Sequence, residues 1–145
     1  MSAEPAILAV DLGTSSMKVA AVTLKGEVLG WESIPLKIVV TSDGGTEQSP
    51  DEWWHAFLAT SQQLIAKLDE PSRIRAICCS TQGEGTIPVD EAGEALMNCI
   101  LWMDMRGAAS LAKQFKGLVN LTGAGMRQTL KWIRLTGGMP SMTGK

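Results

Sequence analysis

The residues from Asp11 to Lys18 read Asp-Leu-Gly-Thr-Ser-Ser-Met-Lys, which gathers an acid, a glycine, a run of hydroxyls and a cation in one short segment. An aspartate at the end of a buried strand is held rigidly and can orient a hydrated divalent cation. Gly13 lets the backbone turn tightly and approach a ligand closely. Thr14, Ser15 and Ser16 then offer hydroxyl and backbone donors in succession, which suits phosphate oxygens, and Lys18 adds positive charge. A plain hairpin with polar turn residues gives the same spacing, and the residues alone leave both readings open. Two other phosphate loops do not fit. A dinucleotide fold wants G-x-G-x-x-G opening a helix, whereas this segment has one glycine and opens a strand. The tail ending in Gly144-Lys145 is not a P-loop, because Met139 stands where the first glycine belongs and no Ser or Thr follows the lysine.

Other reactive side chains carry less. His55, the single histidine, lies off the apolar stripe of its helix and reads as a solvated surface residue with no catalytic role. Cys78, Cys79 and Cys99 make neither a disulfide framework nor a zinc site. They read as reduced thiols of a cytoplasmic protein, with Cys78 and Cys79 on a buried strand.

The elements that position the Asp11 segment are strands. Ala6 to Val10 is a nearly continuous apolar run, as a strand buried on both faces would be. Met17 to Leu24 predicts a second strand, Lys25-Gly26 a turn, and Val28 to Ile34 a third strand, with Pro35 loosening the pairing. Thr41 to Thr46 is a loop. Ser49-Pro50-Asp51-Glu52 then combines an N-cap hydroxyl, a proline at the first helical position and a glutamate three residues after the cap. Trp54, Phe57, Leu58, Leu64, Ile65 and Leu68 keep helical spacing and should pack on the sheet. Ile74 to Cys79 predicts a fourth strand, ending in Ser80-Thr81-Gln82-Gly83-Glu84-Gly85. Asp90 to Gly93 is a turn, Gly107 to Gln114 and Gln128 to Leu135 are helical, and Thr136 to Lys145 is loop-like.

Composition bounds the classes available. A chain of 145 residues that is 45% hydrophobic and 19% charged fits one globular domain and not a disordered chain. Thirteen basic against fifteen acidic residues leave a net charge of −2, without the excess of Lys and Arg that a nucleic-acid binder needs. No apolar run is long enough to cross a bilayer, so no membrane partner is expected. Met1 to Pro5 carries no positive charge ahead of its short apolar stretch and does not read as a secretory signal.

A strand ending in D-x-G-T-S-S and followed by a hairpin resembles the first phosphate segment of the actin/Hsp70/sugar-kinase ATPase superfamily. Three further stretches narrow the resemblance to the FGGY carbohydrate kinases: Glu47 to Trp54 (EQSPDEWW), Cys79 to Gly85 (CSTQGEG) and Ile100 to Arg106 (ILWMDMR). Their order and separations match the amino-terminal part of those kinases over essentially the whole chain. The W-x-D-x-R segment argues against the actin and Hsp70 branches, which have no sugar to recognise.

The resemblance implies an α/β fold with a ribonuclease-H-like mixed sheet, its first three strands antiparallel and the next parallel, flanked by helices. It implies transfer of the γ-phosphoryl group of ATP to a hydroxyl of a small sugar or polyol, with Mg2+ as cofactor. Asp11 would hold the magnesium environment through water, and Gly13, Thr14, Ser15, Ser16 and Lys18 would surround the nucleotide phosphates. Gln82, Gly83 and Glu84 would lie on the substrate loop. In the glycerol-kinase branch that loop reads Q-R-E, so Gly83 here removes a five-donor fork. The methionine-histidine pair usual in the xylulose-kinase branch is also absent. Trp102 would offer a ring face to a sugar's C–H surface, or pack in the core. Asp104 and Arg106 would bond hydroxyls, or each other as a brace for the loop. The family's general-base aspartate and adenosine-binding segments come farther along. Residues 1–145 are therefore expected to be an incomplete amino-terminal domain, an amino-terminal fragment without turnover of its own. A binding or assembly module that keeps a phosphate half-site is the alternative. It would be monodisperse in sedimentation, whereas an incomplete domain exposing apolar surface would self-associate or form homo-oligomers.

Overall fold

The computed structural model describes residues 4–114, 120–121 and 124–138. The strands in chain order are β1 (Ala6–Leu12), β2 (Ser16–Thr23), β3 (Val28–Pro35), β4 (Val39–Val40), β5 (Thr46–Gln48), β6 (Ile74–Thr81), β7 (Cys99–Ile100), β8 (Asn120–Leu121) and β9 (Ala124–Gly125). The helices are α1 (Pro50–Lys67), α2 (Ala108–Gln114) and α3 (Met126–Thr136). The length allows one domain, and the chain divides into two compact units. One holds the residues up to Ile38 with Gln48–Cys99, the other Val39–Glu47 with the residues from Ile100 on.

The first unit is built on a four-stranded sheet in the order β3-β2-β1-β6, with β1, β2 and β3 antiparallel and β6 parallel to β1. Side chains alternate between its faces. Leu8, Val10, Met17, Val19 and Ala21 point one way and form the core with Ala56 and Leu64 of α1. The expected start of α1 is present: Ser49 caps it and its hydroxyl accepts the Glu52 N–H at 3.4 Å. Such a cap is worth about 1 kcal/mol.

The buried stripe of α1 matches the one its apolar spacing predicts only in part: Leu64 is buried and Phe57 and Leu68 pack against the core, as expected. Trp54, Leu58 and Ile65 are exposed, while Ala56, Thr60, Ser61 and Leu64 face inward. Leu64 and Leu68 lie over Gly30 of β3. Small residues at 56, 60 and 61 let the helix axis approach the sheet closely, and the large apolar groups fall to the flanks. Thr60 meets the cost of burial by donating its hydroxyl to the Ala56 carbonyl one turn back.

The expected burial of Cys78 and Cys79 is also corrected. Both lie on the predicted fourth strand, and both are exposed. β6 is the edge of the sheet, and α1 packs over β2 and β3. Ala76, Ile77, Cys78 and Cys79 therefore lack a covering layer among the described residues, while Ile74 at the start of the strand packs against the core. His55 is exposed, as its position off the apolar stripe suggests.

The second unit contains β4, Thr46 and Glu47 of β5, Ile100 of β7, the β8–β9 pair, α2 and α3. Val39 pairs with Glu47 and Val40 with Thr46, and the Leu101 N–H donates to the Thr46 carbonyl at 2.9 Å. The segment expected as a loop from Thr41 to Thr46 is thus the tight connection between β4 and β5. The tail over residues 139–145, including Met139, Gly144 and Lys145, lies outside the described residues.

Candidate functional site

In the first unit, the acid-to-lysine segment occupies the β1–β2 connection, as the sequence places it. Asp11 and Lys18 are direct partners in the antiparallel register, so both project from the sheet face that α1 does not cover. Lys18 Nζ donates to Asp11 Oδ2 at 2.9 Å, and both side chains are about half exposed (49% each). A pair so wet adds at most about 1 kcal/mol to stability, which leaves both charges available to a ligand at little cost. Ser80 of β6 stands opposite Asp11 on the other side. The pair borders a hollow of about 420 Å³ on the open face, walled by Ala9, Ala20, Trp31 and Cys78.

The turn between the strands is closed by the Gly13 N–H donating to the Ser16 carbonyl at 3.0 Å. A β-carbon on Gly13 would sit 3.1 Å from the Ser16 carbonyl oxygen, 3.4 Å from Lys18 Nζ and 3.9 Å from Asp11 Oδ2. The missing side chain therefore leaves a gap bounded by a carboxylate, an ammonium and the turn. Ser15 is exposed at the tip, and its carbonyl accepts the Leu36 N–H at 2.9 Å.

The loop after β6 is tied to this turn. The Gln82 N–H donates to the Leu12 carbonyl at 2.7 Å, and the Thr14 hydroxyl donates to Gln82 Oε1 at 2.8 Å. The structure thus joins Thr14 and Gln82, to which the family resemblance assigns separate roles. Gly83 and Glu84 are exposed beyond them. Glu84 has φ 57°, the only non-glycine residue with positive φ among the described residues. A side chain in that left-handed region costs about 1 kcal/mol. Glu84→Gly is therefore expected to stabilise the chain by about 0.5–1 kcal/mol in urea unfolding. An unchanged or lowered midpoint would mean that the backbone there is not strained.

Sequence reasoning gave Gln48 no role of its own, yet it is 1% exposed and central to this corner. Its Nε2 donates to the Thr14 carbonyl at 2.8 Å, and its Oε1 accepts from Gln82 Nε2 at 2.9 Å and from Trp53 Nε1 at 3.3 Å. The available signal was a polar residue in a short strand just ahead of a helix cap, which is weak.

In the second unit, Trp102 is 44% exposed, while Asp104 is buried. The Asp104 carboxylate is filled by protein donors. Oδ2 accepts from the Thr46 N–H at 3.0 Å and from Arg106 Nη2 at 2.7 Å, and Oδ1 accepts from the Arg106 N–H at 3.0 Å. Arg106 Nη2 also reaches Glu47 Oε1 at 2.8 Å. The guanidinium lies over Gly45, where a β-carbon would come within 2.9 Å of its Cζ. The Arg106 fork, followed by the Thr46 and Arg106 N–H groups, holds the Asp104 carboxyl down at about 2, against an ordinary 3.8. Of the two arrangements open to Asp104 and Arg106, the structure shows the pair bonded to each other.

Residues 6–131 match the family described as "FGGY family of carbohydrate kinases, N-terminal domain". The chain is 36% identical over 103 residues to a xylulose kinase of Staphylococcus epidermidis, covering 70% of this chain and 21% of that protein. It is 31% identical over 114 residues to a glycerol kinase of Rhodospirillum centenum, covering 77% of this chain and 23% of that one. The structure of a gluconate kinase from Lactobacillus acidophilus superimposes with a TM-score of 0.69 at 26% identity, over 77% of this chain and 22% of that one. This chain thus spans about a fifth of the length of the curated relatives it matches. A mixed sheet with β6 parallel to β1, a tight hydroxyl-rich turn between β1 and β2, and a family match over 6–131 converge: the chain belongs to the FGGY carbohydrate kinases.

Proposed function

We propose that this chain carries the phosphate turn and part of the substrate-recognising surface for ATP-dependent phosphorylation of a sugar or polyol hydroxyl. The observation that carries the reading is the gap over Gly13, bounded by Asp11, Lys18 and Ser16 on a sheet face that opens into a hollow. A β-phosphate or γ-phosphate oxygen suits that gap. It would meet the Lys18 ammonium on one side and the hydroxyls of Thr14, Ser15 and Ser16 along the other.

Among the described residues no three Asp, Glu, His or Cys side chains gather as an all-protein metal cage. A single carboxylate, Asp11, stands at the strand end. That donor set fits Mg2+, which is bound by one or two carboxylates together with phosphates and waters. When bound, the ion supplies charge neutralisation on the phosphates. Asp11 would hold it through water, Lys18 would hold negative charge at the turn, and the turn itself would fix position, which is most of what such a transfer requires.

Gln82, Gly83 and Glu84 are assigned to the hydroxyl-bearing substrate. The strained backbone of Glu84 supports this, because strain of that kind is kept where it aims a functional group. Trp102 offers a half-open ring face to a sugar's C–H surface, and Asp104 sets the orientation of Arg106. The named relatives act on xylulose, glycerol and gluconate, so the substrate class is a small polyhydroxy compound. We place the chain in the cytoplasm, and among the described residues no helix is long and apolar enough to cross a membrane.

None of these residues is given the role of general base, so binding without turnover is expected. Titration with Mg·ATP, followed by the Gly13 to Ser16 amide resonances, should show saturable shifts. Asp11→Asn should weaken binding roughly tenfold, about 1.4 kcal/mol. With ATP, Mg2+ and a panel of polyols and ketoses, ADP release should stay at blank. Shifts absent at saturating nucleotide would overturn the phosphate-turn reading, and robust turnover would overturn the assignment of the base elsewhere.

A further inference from the structure

The buried Gln48 side chain joins two segments that the roles above treat separately. We propose that Gln48 is a positioning residue that couples the phosphate turn to the substrate loop through a closed circuit of hydrogen bonds, with the Thr14 hydroxyl as its movable member. The proposal rests on the reading of the β1–β2 turn as a phosphate site.

The circuit runs from the Thr14 hydroxyl to Gln82 Oε1, from Gln82 Nε2 to Gln48 Oε1, and from Gln48 Nε2 back to the Thr14 carbonyl, with distances of 2.8, 2.9 and 2.8 Å. Its direction is dictated by chemistry. The Trp53 indole N–H can only donate and the Thr14 carbonyl can only accept, so one orientation of the Gln48 amide satisfies both. That orientation turns Gln48 Oε1 toward Gln82 and obliges Gln82 to present Nε2 to it. Gln82 Oε1 is thereby aimed at the Thr14 hydroxyl. Gln48 sits at the centre, 1% exposed, where a lost partner cannot be replaced by water without cost.

A hydroxyl carries one proton. While the turn is empty, Thr14 gives that hydrogen bond to Gln82. A phosphate oxygen over Gly13 competes for it, and when the hydroxyl rotates to the phosphate, Gln82 Oε1 loses its donor. A substrate hydroxyl is then the donor that restores the count. Nucleotide at the turn thus prepares the loop for the polyol, with Gln48 keeping the Gln82 side chain in place during the exchange.

The test uses the full 145-residue chain labelled with ¹⁵N, observed through the Gln48 and Gln82 side-chain amides and the Trp53 indole. Without ligand, Thr14→Val should shift the Gln82 amide and, through Gln48, the Trp53 indole. The shifts should exceed those from Ser33→Ala on the exposed part of β3. Gln48→Glu keeps both acceptor contacts and sets an acceptor against the Thr14 carbonyl, so the indole N–H should stay hydrogen-bonded and protected from exchange while the Gly13 to Ser16 amides move. Mg·ATP added to the parent chain should move the Gln82 amide in the direction of Thr14→Val, and should leave that amide unmoved in Thr14→Val itself. An indole unmoved by Thr14→Val in an otherwise native spectrum would overturn the circuit. Nucleotide that binds the turn without touching the Gln82 amide would overturn the coupling. Nucleotide that fails to bind at all would overturn the phosphate reading and with it the coupling, while the ligand-free shifts would still show the circuit itself.

Discussion

Asp104→Asn is expected to destabilise the second unit by about 2–3 kcal/mol at neutral pH. The carboxylate is buried and bonded to Arg106 and to the Thr46 N–H, while the guanidinium is about one-third exposed. Asparagine keeps the shape but removes the charge and turns one oxygen into a donor facing donors. Breaking a fully buried pair costs about 3–5 kcal/mol, and the partial exposure of Arg106 lowers that figure. The pH dependence follows from the sign of the shift. A carboxyl held near 2 in the fold and near 3.8 when unfolded contributes its stability fully above about 4 and loses it as pH falls toward 2. The amount at stake is about 2 kcal/mol. Urea unfolding read at the Thr46 and Arg106 amide resonances should therefore show the parent chain losing stability between pH 4 and 2, and Asp104→Asn losing much less. Glu47→Gln, which removes only one contact from Arg106, should cost under about 1 kcal/mol. Equal costs for the two substitutions would show that the Asp104 fork is not what braces the Thr46–Arg106 region.

Features specified by neighbours in the chain were readable from sequence. β1 announces itself by its apolar run, and the start of α1 by Ser49-Pro50 and the acids after them, because a cap acts over one turn. The β1–β2 connection could be placed because its polar residues are consecutive between two apolar runs. What failed depends on remote elements. The exposure of Cys78 and Cys79 follows from β6 being an edge beyond the reach of α1, which no local pattern encodes. The inward face of α1 also takes in small residues that fit against the sheet, so the apolar spacing found Leu64, Phe57 and Leu68 but wrongly added Trp54, Leu58 and Ile65. Gln48 lies 34 positions from both Thr14 and Gln82, and only the β1–β6 pairing brings those two together. Glu84 shows the limit at its sharpest. It stands between Gly83 and Gly85, either of which would take a left-handed conformation more cheaply, and the positive φ falls on the glutamate.

Gly13→Val should weaken Mg·ATP binding roughly 5- to 150-fold while leaving the fold intact. The position does not need positive φ, so a side chain is tolerated by the backbone itself. The cost is in the space above it. A β-carbon at 3.1 Å from the Ser16 carbonyl is tighter than ordinary contact, and the extra methyls of valine would crowd the Asp11–Lys18 pair beside it. Overpacking of this kind costs about 1–3 kcal/mol. If that cost falls on the bound state, affinity drops by roughly 5- to 150-fold. Gly13→Ala places only the β-carbon and should lie between the two. Lys18→Met offers the complementary test, since it keeps the gap and removes the charge. It should weaken binding and make what remains less sensitive to salt. Amide shifts at Ser15 and Ser16 on titration with Mg·ATP, measured beside urea midpoints for each variant, separate lost binding from lost folding. Parent-like affinity in Gly13→Val would mean that the phosphates do not pass over this glycine, and the turn would then revert to the plain polar hairpin its spacing also allows.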